Sequence, residues 1–177
     1  LSDYPFQSGS DTEVILAAYT RWGVSCLKKL NGMFAFALWD RQQQSLLLAR
    51  DHLGIKPLYL YEQTHQVLFA SEIRALLASG LVPRKVNPSG LSDYLRYQTV
   101  HAPQTMVQGV RMLEPGHYLL IHANGQREEA AFWRPFDHKS KIDPPDWNQA
   151  CNLVRDALLQ SVDRQMIADV PFGAFLS

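Results

Sequence analysis

Val14, Ala17, Ala18 and Trp22 recur at helical intervals behind Ser10-Asp11-Thr12-Glu13 and ahead of Gly23. The first four residues have the spacing of a reciprocal capping box, so the pattern predicts a helix over about 11–22. From Met33 to Trp39 the side chains are almost uniformly apolar, between Asn31-Gly32 and Asp40-Arg41, which predicts a buried strand. Shorter runs at Leu46–Ala49, Leu58–Tyr61 and Val67–Ala70, separated by polar or glycine-containing turns, predict an antiparallel meander. A helix over 72–79 follows, with Ser71 as its cap and Gly80 closing it. A second, over about 89–97, has Ser89 as a plausible cap and places Leu91, Tyr94 and Leu95 on one face, expected to pack on the sheet.

Beyond the turn Glu114-Pro115-Gly116, the run Tyr118–Ile121, the turn Asn124-Gly125 and a return toward Trp133 predict a closing hairpin. Between Arg134 and Trp147 prolines and charges replace apolar periodicity, which marks a linker. Asp146 then precedes an apolar stripe through Ala150, Leu153, Val154, Ala157, Leu158 and Val162. It predicts a helix ended by Asp169 and then a buried strand over Val170–Leu176. The division expected is a first domain over 1–134, a linker over 135–145 and the start of a second domain over 146–177.

Composition narrows the function. The 177 residues are 46% hydrophobic and 19% charged, as in an ordinary globular chain, and 17 Lys plus Arg balance 17 Asp plus Glu. A zero net charge gives no general field for nucleic acid or anionic lipid, and no apolar run approaches the roughly 20 residues that span a bilayer. Cys26 and Cys151 stand far apart without a CxxC partner, so the simplest address is a reducing cytoplasm. The chain starts at Leu1 and stops inside an apolar run, and both ends read as cut.

The six histidines, at 52, 65, 101, 117, 122 and 138, are scattered, which argues against a metal site. No GxSxG elbow singles out a serine, and Cys26 has no evident activating base. Arg50-Asp51-His52-Leu53-Gly54-Ile55-Lys56-Pro57-Leu58-Tyr59 is dense in special residues and must turn sharply. Gly54 suits a positive φ, Pro57 fixes re-entry into a strand, and Arg50 suits a bidentate pair with a carboxylate. Asp11 can serve the helix dipole alone, or point its carboxylate at a ligand ammonium group. Ser177, delivered by an apolar run, is either the entry to a ligand loop or the first residue of an ordinary one.

Together these segments resemble the glutamine-hydrolysing asparagine synthetase family from about Gly9 to Ser177. The resemblance rests on Ser10-Asp11-Thr12-Glu13-Val14, Gly32-Met33-Phe34-Ala35-Phe36-Ala37, Arg50-Asp51 through Gly54-Ile55-Lys56-Pro57-Leu58-Tyr59, Phe69-Ala70-Ser71-Glu72, Pro115-Gly116 and Asp169-Val170-Pro171-Phe172-Gly173-Ala174-Phe175-Leu176-Ser177. It implies an α+β chain. An incomplete N-terminal-nucleophile αββα sandwich, the class II glutamine amidotransferase domain, precedes the first helix and strand of an α/β ATP-pyrophosphatase domain. In that family an N-terminal cysteine attacks the glutamine amide, its α-amine acts as base and an Asn/Gly pair forms the oxyanion hole. None of these has a matching position in the 177 residues, so the fragment alone is expected to be inactive.

The resemblance puts Asp11 on the substrate's α-ammonium group. It places Leu176 against the nucleotide and Ser177 on the first serine of an SGGxDS phosphate loop. The parent's expected partners are glutamine, aspartate and ATP with Mg²⁺, with no nucleic acid or membrane and with a homodimer as a compatible assembly. The expected reaction converts aspartate, glutamine and ATP into asparagine, glutamate, AMP and pyrophosphate. Alternatives are a related amidotransferase acting on another carboxylate, or a structural or regulatory module whose parent has lost the cysteine.

Overall fold

A computed structural model describes residues 1, 3–137, 146–167, 170–171 and 173–174. The chain divides into two compact units, Leu1–Pro135 and Phe136–Ser177. The first begins with helix α1 (Asp11–Trp22), which runs into a 3-10 helix at Gly23–Lys29. Strands β1 (Ala35–Asp40), β2 (Ser45–Arg50), β3 (Tyr59–Gln63) and β4 (Gln66–Ala70) follow, then helices α2 (Ile73–Ala78) and α3 (Pro88–Tyr97). Strands β5 (Val110–Met112), β6 (His117–Ile121) and β7 (Arg127–Ala131) complete the unit.

The strands form two antiparallel sheets, not one meander. The larger has the order β1-β2-β6-β7 and the smaller β4-β3-β5. Side-chain alternation explains how they stack. Leu46 and Leu48 of β2 and Leu119 and Ile121 of β6 meet Leu58, Leu60 and Leu113 in one apolar cluster between the sheets. On the opposite face of the larger sheet, Ala49, Phe36 and Tyr118 pack with Ala18 of α1 and with Cys26 and Leu27. Tyr59, Tyr61 and Val110 on the outer face of the smaller sheet pack with Leu76 of α2. The layers are therefore helix, sheet, sheet, helix. Leu48, Leu60, Leu113 and Leu119 are almost wholly enclosed, and burial of each contributes about 2 kcal/mol.

β2 lies in one sheet and β3 in the other, so the dense 51–58 segment is the crossing between layers. A period-2 pattern reports strands but not the sheet each joins, which is why the runs read as a meander. β1 starts at Ala35, and its Trp39 is 52% exposed because β1 is the edge strand of its sheet. The closing hairpin forms as expected, with Gly125 at φ +82° and Ile121 paired with Arg127.

Several helix ends differ from expectation. Glu72, not Ser71, occupies the N-cap of α2 and makes no side-chain capping bond, while Asn87, not Ser89, caps α3. The Asn87 side chain accepts from the Ser89 amide at 3.1 Å, with Pro88 opening the helix. α3 also turns away from the sheet, since its buried residue is Gly90 while Leu91, Tyr94 and Leu95 are exposed. A Cβ at Gly90 would lie 2.4 Å from the Thr105 carbonyl oxygen, so the helix makes its close contact through this glycine, with the loop that carries Thr105 and not with the sheet.

In the second unit helix α4 (Trp147–Gln165) is capped by Asp146, whose Oδ1 accepts from the Gln149 amide at 2.9 Å. The helix ends earlier than expected, and Val170, Pro171, Gly173 and Ala174 form no strand. The rest of that expected strand, with Asp169, lies outside the described residues, as do residues 138–145 of the expected linker. No helix among the described residues is long and apolar enough to cross a membrane.

Candidate functional site

Ser10 has extended backbone angles, φ −84° and ψ 136°, and its hydroxyl accepts from the Thr12 amide at 3.2 Å. Asp11 is therefore the first helical residue. The capping box is not reciprocal, because Glu13 reaches back past Ser10. Its carboxylate accepts from the Gln7 amide at 2.9 Å, the Ser8 amide at 2.7 Å and the Ser8 hydroxyl at 2.5 Å. These bonds, the Ser8 hydroxyl first, hold the Glu13 carboxyl below its ordinary range. Ser8 Oγ in turn accepts from the Ser10 amide at 3.3 Å.

The segment ahead of α1 is thus tied to Glu13. Farther along the helix Ala17 and Ala18 are buried, Ala18 in the layer against the larger sheet. Asp11 sits on this braced helix start, exposed, with no side-chain partner among the described residues. A carboxylate so placed, beside the positive end of a helix, is available to an ammonium group from outside. Two surface grooves of the first unit, one along Trp39, His65 and His122 and one along Leu16, Tyr19 and Asp40, do not include Asp11. Its side chain stands on open surface.

The crossing between layers is built from Arg50 and Asp51, both buried. Asp51 accepts from the amides of Leu53 at 3.1 Å, Ile55 at 3.0 Å and Lys56 at 2.9 Å, so one carboxylate organises the turn. Arg50 does not pair with a carboxylate. It donates to three backbone carbonyl oxygens, those of Lys56 at 2.9 Å, Leu113 at 2.7 Å and Gly54 at 2.6 Å. The turn supplies the Gly54 and Lys56 carbonyls and the return crossing that of Leu113. Burial lowers the Arg50 pKa, with the nearby Asp51 and Tyr59 opposing that shift.

Gly54 has φ +66°, and a Cβ there would lie 2.8 Å from Arg50 Cζ. The sequence pointed to this glycine. It marked Gly116, at φ +68°, as a turn residue but not its contact across the fold, where its amide donates to the Asp51 carbonyl at 2.8 Å. Gly116 lies on the return crossing, from β5 to β6, so the two crossings are bonded together. The Pro115-Gly116 pair was the available signal, but its partner lies far off in sequence. His52 packs edge-on against Phe132 and Trp133, each at 5.3 Å between ring centroids. Cys26 is fully buried, and that burial pushes its thiol upward, the reverse of an activated nucleophile. Among the described residues no three His, Cys, Asp or Glu side chains gather to hold a metal ion. Leu176 and Ser177, the residues assigned to ATP by resemblance, lie outside the described residues.

Comparison with known proteins agrees with this architecture. The sequence profile described as a glutamine amidotransferase domain matches residues 1–133. "Asparagine synthetase [glutamine-hydrolyzing] 3" of Bacillus subtilis is 34% identical over 175 residues, covering 98% of this chain and 28% of that protein. "Asparagine synthetase [glutamine-hydrolyzing] 1" of the same organism is 37% identical, over 98% of this chain and 27% of the relative. "Amidase chry2" of Gibberella zeae is 36% identical over 99% of this chain and 26% of its own length. The chain thus spans little more than a quarter of these relatives. Among solved structures, the glutamine phosphoribosylpyrophosphate amidotransferase from B. subtilis superposes with a TM-score of 0.52 at 22% identity, over 76% of this chain and 25% of that one. At that identity the likeness concerns the fold alone, the helix, sheet, sheet, helix sandwich. The chain belongs to the glutamine amidotransferase domain family.

Proposed function

We propose that this chain is the glutamine-binding part of a longer glutamine-dependent asparagine synthetase. The observation that carries the reading is the Asp11 carboxylate, free among the described residues and held at a helix start braced by Glu13. In the proposed site Asp11 receives the α-ammonium group of glutamine and so fixes which end of the substrate faces the nucleophile. That charge-assisted bond contributes about 2 kcal/mol to binding. The nucleophile, by resemblance, is an N-terminal cysteine of the parent. Its thiolate adds to the side-chain amide carbon, ammonia leaves, and water hydrolyses the thioester to glutamate.

Ammonia then passes to a second part of the parent, where ATP with Mg²⁺ activates the carboxylate of aspartate. Leu176 and Ser177 are proposed to border that nucleotide, in a reducing cytoplasm. A second reading keeps the glutamine chemistry and changes the acceptor. It draws support from the amidase, which resembles this chain as closely as the synthetases do, at 36% against 34% and 37%. The test is a product assay on the full-length parent with glutamine, aspartate and ATP·Mg²⁺. Glutamate and asparagine in equal amounts support the first reading, glutamate without asparagine supports the second, and neither product overturns both in favour of a structural or regulatory module.

A further inference from the structure

Residues 7–10, ahead of α1, are all exposed, and a Cβ at Gly9 would meet nothing within 4 Å, so hydrogen bonds and not packing fix their path. A reciprocal capping box would bring Glu13 to the Ser10 amide. Here Ser8 Oγ serves that amide at 3.3 Å. Glu13 reaches farther, to the amides of Gln7 at 2.9 Å and Ser8 at 2.7 Å and to the Ser8 hydroxyl at 2.5 Å. A chain of bonds therefore runs from Glu13 through Ser8 to Ser10 and, by the Ser10 hydroxyl, to the Thr12 amide at 3.2 Å. It encloses the backbone of Asp11, which lies between Ser10 and Thr12, while the buried Ala17 and Ala18 hold the same helix from its other end. At 3.6 residues per turn the side chains of Asp11 and Glu13 stand about 200° apart, so Glu13 lies away from whatever Asp11 meets.

We infer that Glu13 is a positioning residue for glutamine binding, one that holds the Asp11 carboxylate where the α-ammonium group of the substrate arrives without itself touching the substrate. The inference rests on the proposed role of Asp11. A first helical residue on open surface is where a helix frays, and a charge-assisted bond reaches full strength only in a narrow geometry. An aspartate fixed before the substrate arrives spares binding the cost of ordering it. Capping the helix asks for one acceptor, which the Ser10 hydroxyl supplies. The three donors that Glu13 collects from Gln7 and Ser8 exceed that need, and what they fix is the approach of the chain to Asp11. Ser8 is the second member of the device, since its hydroxyl passes the bond from Glu13 on to the Ser10 amide.

The experiment compares glutamine kinetics of the full-length parent with those of Glu13→Ala, Glu13→Gln, Asp11→Asn and the Glu13→Ala/Asp11→Asn double variant. Glu13→Ala should raise the KM for glutamine about tenfold while kcat stays within about twofold, because lost positioning weakens binding and leaves the nucleophile alone. The unchanged kcat also shows that the variant is folded. Glu13→Gln keeps one acceptor oxygen, and its KM should fall between those of the parent and Glu13→Ala. The double variant should have the KM of Asp11→Asn alone, within about twofold, since Glu13 acts through a charge that is no longer there, whereas an independent structural role would multiply the two effects. A KM unchanged in Glu13→Ala, a kcat lost with it, or multiplied effects in the double variant would overturn the inference and leave the role of Asp11 standing. A KM unchanged in Asp11→Asn, or a parent that hydrolyses no glutamine, would overturn the role of Asp11 and the inference together, so the two failures are told apart.

Discussion

The Arg50 guanidinium donates to the carbonyl oxygen of Leu113 at 2.7 Å, joining residues 63 apart in sequence. Arg50 ends a strand of the larger sheet and Leu113 follows a strand of the smaller, so this bond ties the two crossings between the layers. Replacing Arg50 with methionine keeps the stem but leaves three carbonyls without their donor. The expected loss is about 3 kcal/mol or more of unfolding free energy, read by urea denaturation. Arg50→Lys should recover only part of it, because one ammonium group cannot reproduce the planar fork that meets all three oxygens.

Asp51→Asn is the complementary change. One oxygen becomes an amide that faces donors instead of accepting from them, within a buried turn that uses both oxygens. A loss of about 3 kcal/mol is expected, with the midpoint of denaturation shifted and its slope unchanged.

Two glycines of nearly equal φ separate backbone strain from crowding. Gly125, at φ +82°, has open space where a Cβ would stand, whereas at Gly116, φ +68°, that Cβ would lie 2.4 Å from the Trp133 carbonyl oxygen. Gly125→Ala should cost about 1 kcal/mol, from the left-handed conformation alone. Gly116→Ala adds a backbone clash and should cost roughly 3 kcal/mol or more, with both values taken from thermal or chemical unfolding.

The Tyr118 hydroxyl donates to Glu128 at 2.6 Å, and burial together with that carboxylate raises its pKa from 10.0 to about 12. The neutral phenol is favoured in the folded state. Its contribution to stability is therefore complete below pH 10 and is lost as pH rises from there toward 12. Stability measured across that window should fall less steeply in Tyr118→Phe than in the unmodified protein, and an equal slope would show that Tyr118 is not the group responsible.

The patterning made most elements legible because apolar periodicity is local. Val14, Ala17, Ala18 and Trp22 located α1, and the run Tyr118–Ile121 with the turn Asn124-Gly125 located the hairpin of β6 and β7. Sheet membership was not legible, since Leu48 and Leu60 face the same central cluster from different sheets and no local feature says so. β5 escaped notice because its three residues are too short for any period. For α3, the leucine stripe suggested packing on the sheet, but the helix's close contact is that of Gly90 with the loop at Thr105, at a distance only the folded backbone reveals. The place of Asp11 at the start of α1 was legible from Ser10 before it. The bracing by Glu13 toward Gln7 and Ser8 was not, because a capping box directs the glutamate to Ser10 instead.

The central claim is that Asp11 holds the α-ammonium group of glutamine, and glutamine-dependent kinetics of the full-length parent with Asp11→Asn test it most directly. The account predicts a KM for glutamine raised by about 10- to 100-fold, corresponding to one lost charge-assisted hydrogen bond, with amide formation from free ammonia unchanged. A KM for glutamine within twofold of the unmodified protein would contradict it.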